Sequence, residues 1–272
     1  MSAFEHNIVN SYLNGESKLS LSKEYGINWR EIQNILNKYD IKNISKAKRN
    51  NPDLIENYFE KIDSPEKAYW IGWILTDGGV TKKHDLEISI LKQDKYILES
   101  FQNDLKLLNN HVKNHGENYS RFSFSCKKIC EDLKQYGIVP NKTMKLKFPK
   151  NIPSQYYSHL LRGMFDGDGG FTLGMTTRFY KHRNKSYTKP YQEFSFTGTY
   201  DMCENFHNIL FENCSFSPKN INHNHNIYRV RWSNKEEIID ICRYLYQNCG
   251  DHFLQRKYDK YLRLLNNKEG VA

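Results

Sequence analysis

The chain has 272 residues, which is enough for one large domain or for two or three small ones. A hydrophobic fraction of 38% and an aromatic fraction of 14% exclude a largely disordered chain and favour a globular protein. The 40 Lys and Arg exceed the 31 Asp and Glu to give a net charge of +9, which favours a nucleic-acid partner, with acidic proteins and anionic membranes as alternatives.

The apolar runs and the cysteines both indicate an intracellular protein. The longest apolar run, residues 69–75, is too short to cross a bilayer, and residues 1–10 lack a secretory signal. We therefore expect no membrane partner. The six cysteines form no Cys-x-x-Cys pair and have no zinc-finger spacing to a histidine, so we expect them to be reduced and mostly buried.

Residues 6–39 show three amphipathic helix patterns in succession. Gly15 ends the first pattern, Gly26 ends the second, and Asn28 is the predicted N-cap of the third. The predicted buried positions are Ile8, Val9, Tyr12 and Leu13, then Leu19, Leu21 and Tyr25, and then Ile32, Ile35, Leu36 and Tyr39. Two helices joined by a turn at Gly26 form a helix-turn-helix unit, and the segment resembles the recombinase and resolvase type.

The third helix of this unit presents polar side chains that can read DNA. Its exposed face is predicted to carry Arg30, Gln33, Asn34 and Asn37, which can donate to and accept from base edges in a major groove. A small three-helix domain without a nucleic-acid role is the alternative. Residues 42–49 are basic and are followed by Asn50, Asn51 and Pro52, so we interpret them as a linker.

Two segments further on, residues 68–79 and 159–170, share one pattern. Each is almost wholly apolar and ends in Asp-Gly-Gly, so each predicts a buried helix closed by a left-handed glycine. The aspartates are Asp77 and Asp168. An internal duplication is the simplest explanation, although an Asp-Gly turn at a helix end also occurs in unrelated proteins.

Small residues four apart lie on one face of each predicted helix. They are Gly72 and Thr76 in the first helix, and Gly163 and Gly167 in the second. Two such faces can pack backbone to backbone, which would bring the two aspartates together at helix C-termini, where the dipole disfavours a carboxylate. Like charges that close need a cation or a proton between them, and a divalent metal held by carboxylate and phosphate oxygens, usually Mg²⁺, fits this requirement.

The second segment, L-R-G-M-F-D-G-D-G over residues 161–169, resembles the LAGLIDADG motif of homing endonucleases, and W-I-G-W-I-L-T-D-G over residues 70–78 resembles a divergent copy. The resemblance implies that Asp77 and Asp168 are catalytic acids holding Mg²⁺, or Mn²⁺ in its place. The earlier acid of the motif is Asp166 in the second copy, whereas the first copy has Leu75 there. Residues 136–149 and 254–258 also resemble stretches common in this family.

The resemblance implies an α+β fold. Two pseudo-symmetric αββαββα halves would form a saddle-like pair of sheets, preceded by a small all-α helix-turn-helix domain. Strand patterns at 86–91 and 119–125, and again at 171–180, 191–197 and 227–232, fit this order. The expected domains are residues 1–50, 51–150 and 151–272.

Three lysines are assigned by the resemblance. The family places a lysine near the scissile phosphate, at the end of the last strand of each half, where it could activate water or stabilise charge. Lys127 or Lys128 in the first half and Lys235 in the second occupy that region. Solvated lysines at strand ends, without a catalytic role, are the alternative.

Residues 178–189 interleave basic and aromatic side chains, which is typical of a β-ribbon tip lying along a phosphate backbone, although a charged hairpin tip needs no partner. The span after the motif is longer in the second half (residues 170–201) than in the first (79–94), so the first hairpin should be much shorter. We expect the helix-turn-helix domain to supply the missing recognition. The predicted DNA contacts of the second half are Arg178, Lys181, Arg183, Lys185, Arg229 and Arg231.

Together these features predict a homing endonuclease. A monomer would bind double-stranded DNA at a long specific site and hydrolyse one phosphodiester on each strand with a divalent metal. The alternatives are an intron RNA maturase and a catalytically silent, sequence-specific DNA-binding regulator. The presence of both aspartates favours cleavage, because a protein that only binds DNA does not need them.

Overall fold

The computed structural model describes residues 2–41, 43–142, 145–224 and 227–266. The chain begins with the three predicted helices, α1 (Ala3–Leu13), α2 (Lys18–Tyr25) and α3 (Trp29–Lys38). The prediction that Leu13 and Leu19 are buried is wrong. Both residues lie in the terminal turns of their helices, outside the apolar faces that pack together. The three helices enclose a core of their own, made of Ile8, Val9, Tyr12, Leu21, Ile32 and Leu36.

The segment interpreted as a linker contains a short helix, α4 (Lys46–Asn50). The hydroxyl of Ser45 accepts a hydrogen bond from the Lys48 backbone N–H over 3.0 Å and so caps this helix. Ala47 packs against the main hydrophobic core. The linker prediction is therefore wrong for this part of residues 42–49, because a cap and an apolar contact fix it; residue 42 itself lies outside the described residues.

Two αββαββα halves follow, which confirms the predicted α+β fold. The first half consists of α5 (Pro65–Thr76), β1 (Gly78–Val80), β2 (Asp85–Leu91), α6 (Lys95–Asp104), β3 (Val112–His115), β4 (Tyr119–Ser125) and α7 (Lys127–Lys134). The second half consists of α8 (Tyr157–Asp168), β5 (Gly169–Tyr180), β6 (Lys185–Gly198), α9 (Tyr200–Asn213), β7 (Asn222–Asn224), β8 (Ile227–Trp232) and α10 (Lys235–Tyr246). A further helix, α11 (Gln255–Asn266), follows the second half.

The two sheets have the same strand order. It is β1-β2-β4-β3 in the first half and β5-β6-β8-β7 in the second, and neighbouring strands are antiparallel throughout. A shared order is what an internal duplication predicts. The sequence patterns miss β1, β3 and β7, because strands of three or four residues are too short to show an alternating pattern.

The first hairpins of the two halves differ in length, as predicted. In the first half, β1 and β2 pair over only three positions, starting with Gly78 opposite Ile88. In the second half, β5 and β6 pair over twelve positions, and the last pair is Tyr180 opposite Lys185. The second hairpin therefore extends well beyond its sheet.

The helices α5 and α8 lie within one hydrophobic core that runs through both halves. Trp70 of α5 is fully buried, and Phe165 of α8 stacks on Phe194 of β6 with ring centroids 4.2 Å apart. All six cysteines are free, four of them buried and two partly buried, as predicted. Within the described ranges, no helix has both the length and the apolar character that spanning a membrane requires.

Candidate active site

The helices α5 and α8 touch through their small residues. A Cβ added to Gly72 would lie 2.3 Å from the Leu160 carbonyl oxygen, and one added to Gly163 would lie 2.1 Å from the Tyr69 carbonyl oxygen. Both separations are far below van der Waals contact, so only glycine allows the two backbones to meet at this distance. The predicted packing of the two small-residue faces is confirmed.

The contact continues to the C-terminal ends of the two helices. A Cβ added to Gly167 would lie 2.0 Å from Thr76 Oγ1 and 3.4 Å from Asp77 Oδ2. Asp77 is the C-cap of α5, and Asp168 is the last residue of α8. The helix packing therefore brings the two carboxyl groups together, as the sequence predicts.

The prediction that left-handed glycines close these helices is wrong. Gly78 begins β1 directly, and Gly169 is extended, with φ −82° and ψ 145°. Both glycines are required by crowding instead: a Cβ on Gly78 would lie 2.7 Å from Ile74 Cα, and one on Gly169 would lie 2.2 Å from a ring carbon of Phe165. Glycine here lets the chain pass from helix to strand without a turn.

Asp77 and Asp168 are both exposed by surface area, although neighbouring protein atoms crowd their carboxyl groups and remove part of their hydration. Burial, followed by the negative charge of Asp168, raises the pKa of Asp77 to about 6. Burial also raises the pKa of Asp168. The pair therefore resists carrying two negative charges unless a cation lies close to it.

Two buried lysines supply positive charge at this place. Lys142 Nζ donates a hydrogen bond of 2.7 Å to the Leu75 carbonyl near the end of α5. Burial lowers the pKa of Lys142 to about 8 and that of Lys257 to about 8, and the nearby aspartates oppose the fall. A cation is favoured at a helix C-terminus, so both lysines compensate for the carboxylates placed there. Lys257 Nζ donates to the carbonyls of Phe165, Asp166 and Gly169.

Several solved structures of LAGLIDADG meganucleases are similar to this chain in architecture. The meganuclease I-CpaMI bound to uncleaved DNA is 13% identical, with a TM-score of 0.53 over 75% of this chain and 90% of that one. I-SmaMI bound to uncleavable DNA with a TTCT central four is 12% identical, with a TM-score of 0.52 over 75% and 89%. I-GzeII in complex with its DNA target is 12% identical, with a TM-score of 0.51 over 75% and 89%. The chain has the LAGLIDADG homing-endonuclease fold.

No family model and no curated protein sequence matches the chain. At 12–13% identity the likeness to the solved structures concerns the fold, and the roles of individual residues have to be argued from this chain. These likenesses do not confirm the helix-turn-helix interpretation of the N-terminal helices.

The divalent metal that the LAGLIDADG fold implies fits the two aspartates. Neither carboxylate accepts a hydrogen bond from the residues that the structure describes, so their oxygens are available as ligands. Within the same residues no set of three or more His, Cys, Asp or Glu is placed to hold a metal. Mg²⁺ commonly uses one or two carboxylates and takes its other ligands from water and phosphate. The chemistry of the pair therefore fits Mg²⁺ or Mn²⁺ beside a phosphodiester.

Asp166, the earlier acid of the second motif, is not part of this pair. Its Oδ2 accepts a hydrogen bond of 3.0 Å from the Tyr69 hydroxyl and one of 2.9 Å from the Leu254 backbone N–H. Burial raises the pKa of Asp166 to about 6. Asp166 stabilises the junction between the halves. Because this role is separate from the carboxyl pair, the first motif can have Leu75 at the equivalent position and still supply Asp77 to the pair.

The three lysines that the resemblance suggests lie at helix starts. Lys127 Nζ lies 3.7 Å from Glu131, and Lys128 Nζ lies 2.7 Å from Asp132. Lys235 is the first residue of α10. A catalytic role for these lysines stays a prediction, and the structure does not favour it for the first two, because their described partners are surface acids and not Asp77 or Asp168.

Lys142 and Lys257 are site residues that the sequence patterns do not predict. Their carbonyl partners lie far away in sequence, 67 positions for Leu75 and 91 positions for Asp166. The only signal is that residues 136–149 and 254–258, which contain them, resemble stretches common in the family. Each lysine follows the last helix of its own half and reaches back to the end of the motif helix of that half.

The predicted DNA contacts of the second half lie along one sheet and its hairpin. Arg178 of β5 lies opposite Tyr187, Lys181 lies in the hairpin turn, and Lys185 begins β6. Arg229 Nη2 lies 2.5 Å from Glu193 Oε1, and Arg231 Nη1 lies 3.8 Å from the second oxygen of the same carboxylate. Apart from Lys181 in the turn, these residues share one face of the sheet, because their paired positions on β6 alternate in register. The side chain of Arg183 lies outside the described part of the chain.

The predicted reading face of α3 is partly engaged within the protein. Gln33 donates a hydrogen bond of 2.7 Å to Asn37 and accepts one from Lys18. Arg30 and Asn34 are exposed, and the Arg30 guanidinium lies 5.4 Å from the centroid of the Trp29 ring. Arg30 and Asn34 are therefore the most available members of the predicted set.

Proposed function

We propose that this protein is a site-specific endonuclease that hydrolyses one phosphodiester on each strand of double-stranded DNA with a divalent metal. The observation that carries the proposal is the meeting of Asp77 and Asp168 at the ends of two touching helices, where both carboxylates are free of described protein donors. A protein that only binds DNA has no use for two carboxyl groups held together at an electrostatic cost.

The aspartates and the lysines of the site have different roles in the proposed reaction. Asp77 and Asp168 would hold Mg²⁺ or Mn²⁺, which when bound polarises the phosphate and stabilises the leaving oxygen. Lys142 and Lys257 keep the site from becoming too negative for a phosphate to enter, since their charges oppose those of both aspartates. The contact between α5 and α8 fixes the carboxylates before the substrate arrives, so that no reorganisation is needed during the reaction.

One face of the second sheet is suited to the phosphate backbone. Successive side chains of a strand point to opposite faces of the sheet, so the neighbours of the buried Phe171, Phe194 and Val230 lie on the other face. That face carries five basic residues and one described acid, namely Arg178, Lys185, Lys189, Arg229 and Arg231 with Glu193. The solved structures of I-CpaMI and I-GzeII, which share the fold, contain DNA, which supports DNA as the partner here.

The equivalent face of the first sheet is electrically balanced. Leu86, Ile88 and Phe122 point into the core. The side chains that alternate with them on the opposite face include two acids and two bases, namely Asp85, Glu87, Lys113 and Arg121. Together with the short β1–β2 hairpin, this leaves the first half with little affinity of its own for phosphates. We therefore propose that the helix-turn-helix unit supplies DNA contacts on this side, through Arg30 and Asn34.

The proposal is tested by incubating the full chain with a randomised duplex library and Mg²⁺ and sequencing the cut ends. We expect one long preferred site with both strands cut. Asp168→Asn should abolish cleavage of that site while binding persists, because amide oxygen is a poor substitute for a carboxylate at Mg²⁺. Absence of any cut product, or full activity of Asp168→Asn, would refute the proposed function.

A further inference from the structure

The strand pairing shows which position of the first sheet corresponds to Arg231 of the second. In both halves the register begins at the glycine after the motif aspartate. Counting from that glycine across two strand pairs makes Phe122 of β4 equivalent to Val230 of β8. The next residue of β4, Ser123, is therefore equivalent to Arg231. The first sheet has a neutral hydroxyl where the second has a positive charge.

Ser123 lies in an open cleft between β4 and the short helix α4, which we call the α4 cleft. One wall carries Ser123 and Ser125 of β4, and the other carries Lys46 and Asn50 of α4. Lys46 and Asn50 are four residues apart, so they lie on one face of the helix, and all four residues are exposed. The Ser125 hydroxyl also donates to the Asp85 carboxylate. Among the residues that the structure describes, no acid lines the α4 cleft.

The helix α4 is fixed between the N-terminal helices and the first half. The Ile44 backbone N–H, just before the helix, donates a hydrogen bond of 2.9 Å to the Tyr12 hydroxyl of α1. Ala47 packs against the main core, and Asn51, just after the helix, is 2% exposed. The α4 cleft is therefore formed before any ligand arrives. A duplex that contacts both the first sheet and α3 has to pass it.

Lys46 is the basic residue of α4 that is available to a ligand. The Lys48 ammonium and the Arg49 guanidinium each donate to a backbone carbonyl, over 2.7 and 2.8 Å. Lys46 has no hydrogen-bond or ion-pair partner within the ranges that the structure describes. Ammonium, amide and hydroxyl groups are the donors that proteins use for the phosphate oxygens of a nucleic-acid backbone. The α4 cleft combines all three.

We propose that the α4 cleft binds a backbone phosphate of DNA, with Lys46 as the charged donor and Asn50 and Ser123 as neutral donors. Lys46 then supplies to the first half the positive charge that Arg231 supplies to the second. The inference rests on the proposed DNA-binding function, but it does not require cleavage. It makes α4 part of the DNA-binding surface and not only a connection between domains.

The test measures the binding of a labelled duplex of random sequence in EDTA at several salt concentrations, because a phosphate contact does not depend on base sequence. Lys46→Met should weaken binding about 5- to 10-fold at about 0.1 M salt. The slope of log affinity against log salt should fall by about 1, as expected for one phosphate contact. The melting temperature should not change, because Lys46 is exposed. An unchanged affinity and slope would overturn the inference.

The matched control is Lys134→Met, which removes the same charge from an exposed position of α7. The buried face of α7 covers the other side of the first sheet, so this variant should bind within about 2-fold of the wild-type protein. Adding Ser123→Arg to Lys46→Met places an arginine at the equivalent of Arg231 and should restore most of the affinity and the slope.

Two results would contradict the assignment of Lys46 to a phosphate. They are equal losses of affinity in Lys46→Met and Lys134→Met, and no recovery when Ser123→Arg is added. A different result bears on the proposed function itself: if the wild-type protein binds no duplex at all, DNA is not its partner, and the inference fails together with that function.

Discussion

The hydroxyl of Tyr69 in the first half donates a hydrogen bond of 3.0 Å to the carboxylate of Asp166 in the second half. Both residues are buried, and the Arg162 guanidinium lies 5.1 Å from the centroid of the Tyr69 ring. Asp166 Oδ1 has no described partner, so the carboxylate depends on Tyr69 and on the Leu254 N–H. This polar contact joins the halves behind the carboxylates of the candidate site.

Tyr69→Phe should therefore destabilise the protein. The change leaves a buried carboxylate oxygen with one donor fewer, which costs about 1–3 kcal/mol of unfolding free energy. Denaturant unfolding measures the difference. The matched control is Tyr58→Phe, which removes a hydroxyl that bonds to none of the described residues and should change stability by less than about 0.5 kcal/mol. Equal effects of the two substitutions would show that the bond between the halves contributes nothing.

The second prediction concerns the backbone contact between α5 and α8. Gly163→Ala would place a methyl group 2.1 Å from the Tyr69 carbonyl oxygen, a backbone atom that cannot move aside alone. We expect a loss of about 3 kcal/mol in the free energy of unfolding and a strong loss of cleavage, since the carboxylates would separate. Gly174→Ala is the control, because nothing lies within 4 Å of its added Cβ. A stable, active Gly163→Ala protein would contradict the described packing.

Much of the helix pair could be predicted from sequence. Gly72, Gly163 and Gly167 lie on one face of apolar helices, and this periodicity alone predicts backbone contact and the meeting of Asp77 and Asp168. The unequal hairpins could also be predicted, because the distance from each motif to the next helix pattern limits the length of chain available. Both features depend on local spacing, which a sequence displays directly.

The lysines and the shortest strands could not be predicted in the same way. Lys142 and Lys257 reach carbonyl groups from other parts of the chain, and no local pattern marks a lysine as buried. The strand β7 has the sequence Asn-His-Asn, which is typical of a turn, and it pairs only because β8 lies beside it. The family resemblance suggests Lys127 and Lys128 because they follow a strand, but their ammonium groups contact acidic side chains at the surface.

The third prediction concerns pH and follows from the raised pKa of Asp77. An acid with a raised pKa binds its proton more readily in the folded state, so it favours folding at low pH and loses that contribution as pH rises from about 4 to about 6. Asp77→Asn removes the group that must ionise. In metal-free buffer the variant should therefore melt at a higher temperature than the wild-type protein above pH 6, with little difference below pH 4.

Melting curves at pH 4 and pH 7.5, with EDTA and then with Mg²⁺, measure this effect. Mg²⁺ should raise the melting temperature of the wild-type protein at pH 7.5 and have a smaller effect on Asp77→Asn. Asp53→Asn, at an exposed position outside the motif helices, is the control and should match the wild-type protein throughout. An Asp77→Asn protein less stable than wild type at pH 7.5 would contradict the electrostatic account of the pair.

The last prediction concerns the N-terminal helices, whose core is separate from the main one. Removing residues 2–44 deletes α1 to α3 but keeps α4 with its Ser45 cap, so the two halves should still fold. Because the face of the first sheet is electrically balanced, we expect the truncated protein to bind its site at least about 10-fold more weakly, which is about 1.4 kcal/mol, and to protect a shorter stretch of DNA. Cleavage at saturating protein should persist, since Asp77, Asp168 and Lys142 are all retained.

Footprinting measures both the affinity and the length of protected DNA. The double substitution Arg30→Ala with Asn34→Ala, at exposed positions of the full chain, should reproduce the loss of affinity without loss of fold. An unchanged footprint and affinity after truncation would mean that the three helices do not contact DNA and that the two sheets alone recognise the site.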